Sequence, residues 1–483
     1  MAATTPVKRE DRDALLSSLP QPYPGDLRSA IKQRVLNPSN GIPLLVILDD
    51  DPTGTQTCHD IQVLMSWDVE TLKSSFTSSV TQNVGGFFIL TNSRALHEPE
   101  ARELIKEICT NLKAAGNAVD KDFEIVLRSD STLRGHFPLE ADAASEVLGE
   151  ADIWLLAPFF LQGGRYTIND CHYVDEEGTL VPASETPFAK DATFGYKNSN
   201  LKDWVEEKTN GVISRDRVQS LSLQDIRTGG PDKVAQLLTG FAKGSTVIIN
   251  AASEQDMDVV VAGLLDASKS RKFLYRSGAA LVSSRLGIAQ IPPKTSAQLK
   301  LNPSVGGLVI AGSYVPKTTA QLKILREKSG DKLTTIELQV EQLLESPDTA
   351  DRIIEEAKEQ AAQEIEKGQD VLVMTSRGLI TGKDGKESLN IGSTVAKALV
   401  SFLTGLRSRP RYIIAKGGIT SSDMATKGLG MKIATVVGQA APGVPLWECS
   451  EESSKWSGIP YIVFPGNVGS AEELFNVVNG WRP

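Results

Sequence analysis

Cysteine is scarce, with four residues in 483, and no two are spaced as CxxC. That excludes a disulfide framework and the familiar structural zinc spacings. The dipeptides Cys58-His59 and Cys171-His172 do not change this, because adjacent side chains rarely converge on one ion. Basic residues are outnumbered, giving a net charge of −9, so the broad positive surface that nucleic acid or an anionic membrane requires is missing. No apolar run approaches the roughly 20 residues that a bilayer span needs. The amino terminus lacks the apolar core of a secretory signal and carries acidic residues uncommon in transit peptides. A cytoplasmic protein acting on a small molecule is the expectation. Neither the P-loop pattern GxxxxGK[ST] nor the dinucleotide fingerprint GxGxxG occurs after a strand-like run.

What is present is an alternation of buried-looking strands and helical patterns. The runs "LLVILD", "GGFFILTNSR", "FEIVLRSD", "DIWLLAPFF" and "STVIINAAS" are strand-like, and "PEARELIKEICTNLKAAGN" and "EQDMDVVVAGLLDASKS" repeat with helical period. Such alternation predicts a largely parallel sheet. Between about Asp170 and Arg227 the pattern turns polar, which predicts an insertion over the sheet. Prolines and polar residues break the periodicity over "LGIAQIPPKTSAQLKLNPSVGG", and a second α/β pattern follows with "GGLVIAGSY", "DVLVMTSRG" and "RYIIAKGGITSSD". The expected architecture is therefore α/β: two Rossmann-like domains with largely parallel sheets and a cleft between them. Its parts are an amino-terminal arm (1–42), a first domain (43–285), a linker (286–305) and a second domain (306–483). The arm is free to order against a second subunit, so a homo-oligomer is one arrangement the sequence admits.

Chemistry concentrates where strand-like runs end. Asp49, Asp50 and Asp51 close the first one in "LLVILDDDPTG", and packing three carboxylates raises a pKa or calls for a cation. Ser93 and Arg94 end the second. Arg128, Asp130, Ser131, Thr132 and Arg134 crowd "LRSDSTLRG", and Arg165 lies in "GGRYTIND"; this donor density suits a carboxylate or polyol. The histidines His59, His97, His136 and His172 all lie just beyond these motifs, and no spacing singles one out. In the second half, "AGSYVPKTT", "AKGGITSSD" and "PGNVGS" are three glycine-bearing turns that could cradle an anion or nucleotide.

Two enzymatic readings compete. "LDDDPTG" contains DxDxT at Asp49, Asp51 and Thr53, and with the strand ending at Thr91 it resembles the first motifs of the haloacid dehalogenase superfamily, whose nucleophile would fall on Asp49. The later acidic pair of that scheme is missing. Alternatively, "DDPTGT", "TNSRAL", "RSDSTLRG", "GGRYTINDCHYV", "GSYVPKTTAQL", "KGGITSSDMA", "APGVPLW" and "PGNVGSAEELF" follow the order of motifs in the four-carbon acid sugar kinase family, and nearly the whole chain resembles it. The resemblance implies a sugar-acid-binding amino-terminal domain and a nucleotide-binding carboxy-terminal domain. It implies ATP with Mg2+ as phosphoryl donor and an acid of the threonate, erythronate or 3-oxo-tetronate type as acceptor. It makes Asp50 and Asp51 the matching aspartates; phosphoryl transfer to a hydroxyl then suits Asp51 as general base and Asp50 as a partner that orients the sugar acid or the metal, with the two roles exchangeable and the metal ligands unassigned. Ser93, Arg94, Asp130, Ser131, Thr132, Arg134 and Arg165 fall on the sugar acid, and Ser313, Gly417, Gly418, Ile419, Thr420 and Gly466 on the nucleotide. Asp49, Arg128 and Ile419 depart from the family's usual residues, and a binding protein that has lost catalysis is the third reading.

Overall fold

The computed structural model describes residues 8–312, 315–377, 385–449 and 454–483. The chain forms two compact units. The first runs up to Ile61 and resumes over Ser66–Gln290; the second takes Gln62–Met65 and Ile291–Pro483.

Seven strands make the main sheet of the first unit: β1 (Leu44–Asp49), β2 (Gly86–Leu90), β3 (Phe123–Arg128), β4 (Ile153–Ala157), β5 (Val218–Leu221), β6 (Ser245–Ile249) and β7 (Phe273–Ser277). Their order is β5-β6-β4-β7-β3-β1-β2, and every pairing is parallel. Leu45 to Leu48 and Phe87 to Ile89 are buried whichever way they point, as expected when helices cover both faces, and that is why these strands read as unbroken apolar runs. The helix Glu98–Ala118 shows the complementary pattern, burying Ala101, Ile105, Ile108, Leu112 and Ala115 on one stripe. Its start is fixed by Glu100, whose carboxylate accepts from the His97 N–H at 3.1 Å.

The strand order decides where a ligand can sit. From β1 the chain moves to β2 on one side and then returns to β3 on the other, so the loops leaving β1 and β3 diverge and open a crevice at their carboxyl ends. Arg165–Ile168, Cys171–Glu176 and Thr179–Pro182 form a separate antiparallel sheet, with Glu10–Asp11 added at its edge. The polar insertion expected as far as Arg227 ends earlier, because β5 joins the main sheet beside β6. The region before β1 contains helices Arg12–Ser18 and Leu27–Leu36. Arg28 donates to Asp258 at 2.6 Å, and Arg227 donates to the Pro20 carbonyl at 2.7 Å, which ties this region to the first unit.

The second unit is built from β8 (Leu308–Ala311), β9 (Leu333–Leu338), β10 (Asp370–Thr375), β11 (Ile413–Lys416), β12 (Ile433–Ala441), β13 (Val444–Cys449) and β14 (Ile459–Phe464). The order is β12-β13-β14-β11-β8-β10-β9. The strands from β14 to β9 are parallel, whereas β13 runs antiparallel to both β12 and β14. Val309, Ile414, Ile462, Tyr412 and Trp481 pack in its core. Asp370 is buried yet fully used: it accepts from Gly307 N at 2.8 Å, Arg411 Nη2 at 2.8 Å and Arg482 Nε at 2.7 Å, so the end of the chain is fastened to the start of β10. Among the described residues no helix is long and apolar enough to cross a membrane.

Candidate active site

The carboxyl ends of β1, β2 and β3 bring the first-half motifs together. Backbone bonds fix the floor: Asp50 N donates to the Arg128 carbonyl at 3.1 Å, and Thr91 donates from both its N–H and its hydroxyl to the Asp49 carbonyl at 2.9 Å. Arg94 reaches in among three carboxylates. Its guanidinium lies 2.5 Å from Asp51 Oδ2, 3.6 Å from Asp130 Oδ1 and 3.9 Å from Asp50 Oδ1. Burial works against the Arg94 charge, but Asp50, Asp51 and Asp130 outweigh it and raise its pKa.

The three aspartates of the opening motif end up in different states. Asp49 is fully buried and neither of its oxygens has a hydrogen-bond partner; burial pushes its pKa well up, with the in-register neighbour Arg128 pulling the other way. Asp50 is also raised by burial, against the pull of Arg94, and its oxygens likewise lack hydrogen bonds. Asp51 is the most open of the three, its side chain 19% exposed. Burial pushes its carboxyl up, but Arg94 and Thr53, whose N–H donates at 2.9 Å, together hold it below the ordinary range. One motif thus supplies an oriented carboxylate held low in pKa beside two carboxyls that burial raises.

Asp130 binds Arg134 Nε at 2.6 Å and the Thr132 hydroxyl, and these with Arg94 overcome burial and keep it ionised. Thr132 is fully buried, with its hydroxyl given to Asp130 and its carbonyl accepting from Tyr196 Oη at 2.8 Å. Ser131 is buried in the same loop. Arg165 arrives from the antiparallel sheet; its guanidinium and that of Arg134 sit over the Phe188 ring, at 5.7 and 5.1 Å from its centre. Burial lowers the Arg165 pKa and its Nε has no hydrogen-bond partner, so an anion here would meet a donor already stripped of water.

The histidines serve as fasteners in this setting. His172 Nε2 donates to the Ser131 carbonyl at 2.7 Å while Nδ1 faces the Thr167 hydroxyl at 3.0 Å; burial lowers its pKa to about 4, so it stays neutral. His136 Nε2 lies 3.1 Å from both the Ser93 and Leu96 carbonyls.

Two participants carry no motif signature. Arg276, near the end of β7, lies against the stacked rings of Phe137 and Trp204 and donates to the Arg134 carbonyl at 3.0 Å; Asp50, Glu140 and Asp130 oppose the lowering of its pKa by burial. Glu140, in the first turn of helix Leu139–Leu148, is buried beside Asp50 and bonds to Ser93. Burial, helped by Asp50, raises its pKa to about 7. Because the folded value lies above the unfolded one, ionising Glu140 costs stability as pH rises from about 4.5 to 7, by up to about 3 kcal/mol. Glu140→Gln removes that cost. Its melting temperature relative to the parent protein should therefore rise between pH 5 and pH 8, and a difference that is flat or falls with pH contradicts the assignment.

In the second unit the glycine-bearing turns follow three neighbouring strands, β8, β11 and β14. Gly417 has φ 110°, a conformation that admits essentially only glycine, and its N–H donates to the Phe464 carbonyl at 2.8 Å. Thr318 Oγ1 donates to the Gly466 carbonyl at 3.2 Å, and Gln321 Nε2 to the Ser470 carbonyl at 2.8 Å, so helix Pro316–Ser329 is sewn to the turn that contains Gly466. Gly312 leaves room for Thr420, whose Oγ1 would lie 3.1 Å from a Cβ added there. Gly417, Gly418, Thr420 and Gly466 therefore share one end of the sheet. Ile419 protrudes, 68% exposed, and Ser313 lies outside the described residues. The helix after Gly417 is only six residues long before it widens into a π turn over Met424–Gly428.

Comparison with known proteins agrees with this division. A family model described as a sugar-binding N-terminal domain matches residues 45–285, and one described as a nucleotide-binding C-terminal domain matches residues 308–474. Fold and matched domains together define a chain with a sugar-binding half and a nucleotide-binding half. It belongs to the four-carbon acid sugar kinase family. The chain is 24% identical over 302 residues to the D-erythronate kinase of Heliobacterium modesticaldum, covering 61% of this chain and 63% of that protein. It is 30% identical over 165 residues to the D-threonate kinase of Bordetella bronchiseptica, covering 33% and 38%. Both matches thus span less than two thirds of the relative. Among solved structures, a Haemophilus influenzae protein matches with a TM-score of 0.58 at 19% identity, over 90% of this chain and 99% of that one. A Salmonella typhimurium LT2 protein matches with a TM-score of 0.63 at 15% identity, over 89% and 97%. At such identities the likeness bears on the fold.

Proposed function

We propose that this protein is a kinase that transfers the terminal phosphoryl group of ATP to the terminal hydroxyl of a four-carbon sugar acid, of the threonate, erythronate or 3-oxo-tetronate type. The observation that carries the reading is Arg94 set among Asp50, Asp51 and Asp130, with Arg134 and Arg165 beside it, at the ligand crevice of a sugar-binding domain. Arginines of this kind recognise a carboxylate, and neighbouring carboxylates accept hydrogen bonds from hydroxyls.

Asp51 takes the general-base role. It is ionised, partly open and aimed by two donors, and a substrate carboxylate that draws Arg94 toward itself would raise the basicity of Asp51 as the acceptor hydroxyl arrives. Asp50, whose pKa burial raises, is its partner. Arg94, Arg134 and Arg165 hold the acid, with Ser93, Asp130, Ser131 and Thr132 shaping the loop around its hydroxyls. The turns with Gly417, Gly418, Ile419, Thr420 and Gly466 receive the nucleotide, and Ser313 belongs to the same set by motif. Phosphoryl transfer asks the protein mainly for positioning and charge neutralisation, which this distribution of groups suits. No three His, Cys, Asp or Glu side chains are grouped to hold a metal among the described residues, so Mg2+ is assigned to the phosphates of ATP.

The phosphatase reading fares worse. Its nucleophile would be Asp49, which is sealed from solvent and driven toward the neutral form by burial, the reverse of what an attacking carboxylate needs. The test is incubation with Mg-ATP and a panel of four-carbon sugar acids, following ADP and free phosphate together. Acid-dependent ADP release with a phosphorylated acid and no free phosphate is the expected result. No ADP with any acid, and phosphate released from a phosphorylated acid instead, would overturn the kinase assignment.

A further inference from the structure

Lys416 ends β11, the strand that leads into Gly417. It is fully buried, and yet it is a lysine. Its Nζ donates to the Pro465 carbonyl, in the turn that holds Gly466, and stands 4.3 Å from the centre of the Phe464 ring. On the other side β11 pairs with β8, placing Ala311 opposite Lys416, and helix Pro316–Ser329 follows with Lys317 in its first turn. The side chain therefore links the end of the Gly417 strand to the Gly466 turn, at the place where the three glycine-bearing turns gather.

The charged neighbour that acts on Lys416 among the described residues is Lys317, of like sign; β8 contributes Ala311, β14 contributes Phe464, and the turn after it contributes the Pro465 carbonyl. No carboxylate among the described residues acts to hold its charge. A buried ammonium without a counter-charge is costly, so in the empty protein burial, reinforced by Lys317, brings its pKa down to about 7. A polyphosphate seated on these turns would be the missing counter-charge.

We propose that Lys416 is a positioning residue of the nucleotide site, which joins the Gly417 and Gly466 turns from below and takes up a proton when a nucleoside polyphosphate settles on them. The inference rests on the reading of these turns as the nucleotide site. It makes nucleotide binding proton-linked. Below the pKa of the empty protein Lys416 is charged with or without nucleotide, and no dependence arises. Above it the bound state holds an extra proton, so affinity falls as pH rises, by up to about tenfold per unit from about pH 7 to 8.5.

Calorimetric titration with Mg-ATP at pH 8, in two buffers of different ionisation enthalpy, reads this directly. About one proton should be taken up per nucleotide. Lys416→Met should bind more weakly with no uptake and no pH dependence, and it should melt no lower than the parent protein, since methionine removes a buried amine of similar volume. Lys416→Arg carries its charge at every pH and should likewise show no uptake. Proton uptake that persists in Lys416→Met, or its absence in the parent protein while nucleotide binds, overturns the role of Lys416 and leaves the nucleotide site standing. Absence of any Mg-ATP binding by the parent protein overturns both.

Discussion

Asp51→Asn should lower turnover by about 10²- to 10⁴-fold, the range general-base removal usually produces, while leaving Mg-ATP affinity unchanged. The substitution is nearly isosteric. The amide oxygen can still accept from the Thr53 N–H, so the turn keeps its shape, while the amide nitrogen replaces the oxygen that faces Arg94 and the capacity to take a proton disappears. Asp50→Asn makes the informative contrast. Asp50 is raised by burial against the pull of Arg94, whereas Asp51 is held low, so replacing Asp50 with a neutral amide should cost less than the same change at Asp51. Measuring kcat for both variants with the acid that the parent protein phosphorylates, alongside Mg-ATP affinity, separates the roles. A collapse in Asp50→Asn with near-normal turnover in Asp51→Asn would exchange them. Normal turnover in both would remove the pair from the chemistry.

Removing the Arg94 charge should produce the largest combined effect, on both substrate and stability. In Arg94→Met the acid loses a fork-shaped donor, which should lower kcat/KM by about 10²-fold or more, mostly through KM. The fold also suffers, because Asp50 and Asp51 then lose the cation set between them and Asp130 keeps only Arg134. Stripping one partner from a buried charge cluster costs about 3–5 kcal/mol. The pH dependence has a definite sign. In the parent protein Arg94 helps hold the Asp51 and Asp130 pKa values below their unfolded values, so their stabilisation is full above about pH 4 and fades as pH falls through the lower folded values. In the variant Asp51 loses its main cation and is raised, while Asp130 keeps Arg134, so protonation of Asp51 relieves the cluster as pH falls. The gap in melting temperature between the two proteins should therefore be widest near pH 7 and narrow toward pH 4. A gap that is constant with pH would mean that Arg94 acts through packing alone. Arg94→Lys, which keeps a charge and loses the fork, should recover more of the stability than of the KM.

Much of this site was legible in the sequence because it is made of clusters. Three aspartates after an apolar run, and a serine, threonine, arginine and aspartate within seven positions of a strand end, announce themselves by density, and β1, β2, β3, β4 and β6 all appear as apolar runs. Arg276 and Glu140 do not announce themselves. The strand that carries Arg276 is five residues long, and its "FLYRS" lacks the apolar character of its neighbours, although it is fully buried between β4 and β3. Glu140 looks like an ordinary acidic residue in a first helical turn until the fold puts Asp50 and Ser93 against it. Lys416 sits within a quoted motif but reads as a strand-end charge, since its burial depends on which strands flank β11. Strand adjacency is set by tertiary packing rather than by any local pattern. For the same reason β5 was absorbed into a polar insertion, and the antiparallel pairing of β12 with β13 was not anticipated.

Asp49 fills the space beside Gly54, and this limits which substitutions the opening motif can accept. A Cβ built on Gly54 would lie 1.9 Å from Asp49 Oδ1, and the atoms it meets are those of a buried side chain with no solvent to retreat into. Position 54 therefore cannot gain a side chain while position 49 is aspartate, whereas a smaller residue at 49 would lift that prohibition. The two substitutions have an obligatory order. A lineage that acquired Asp49 has in effect locked its own turn glycine, and position 49 is where the lock would have to be released first.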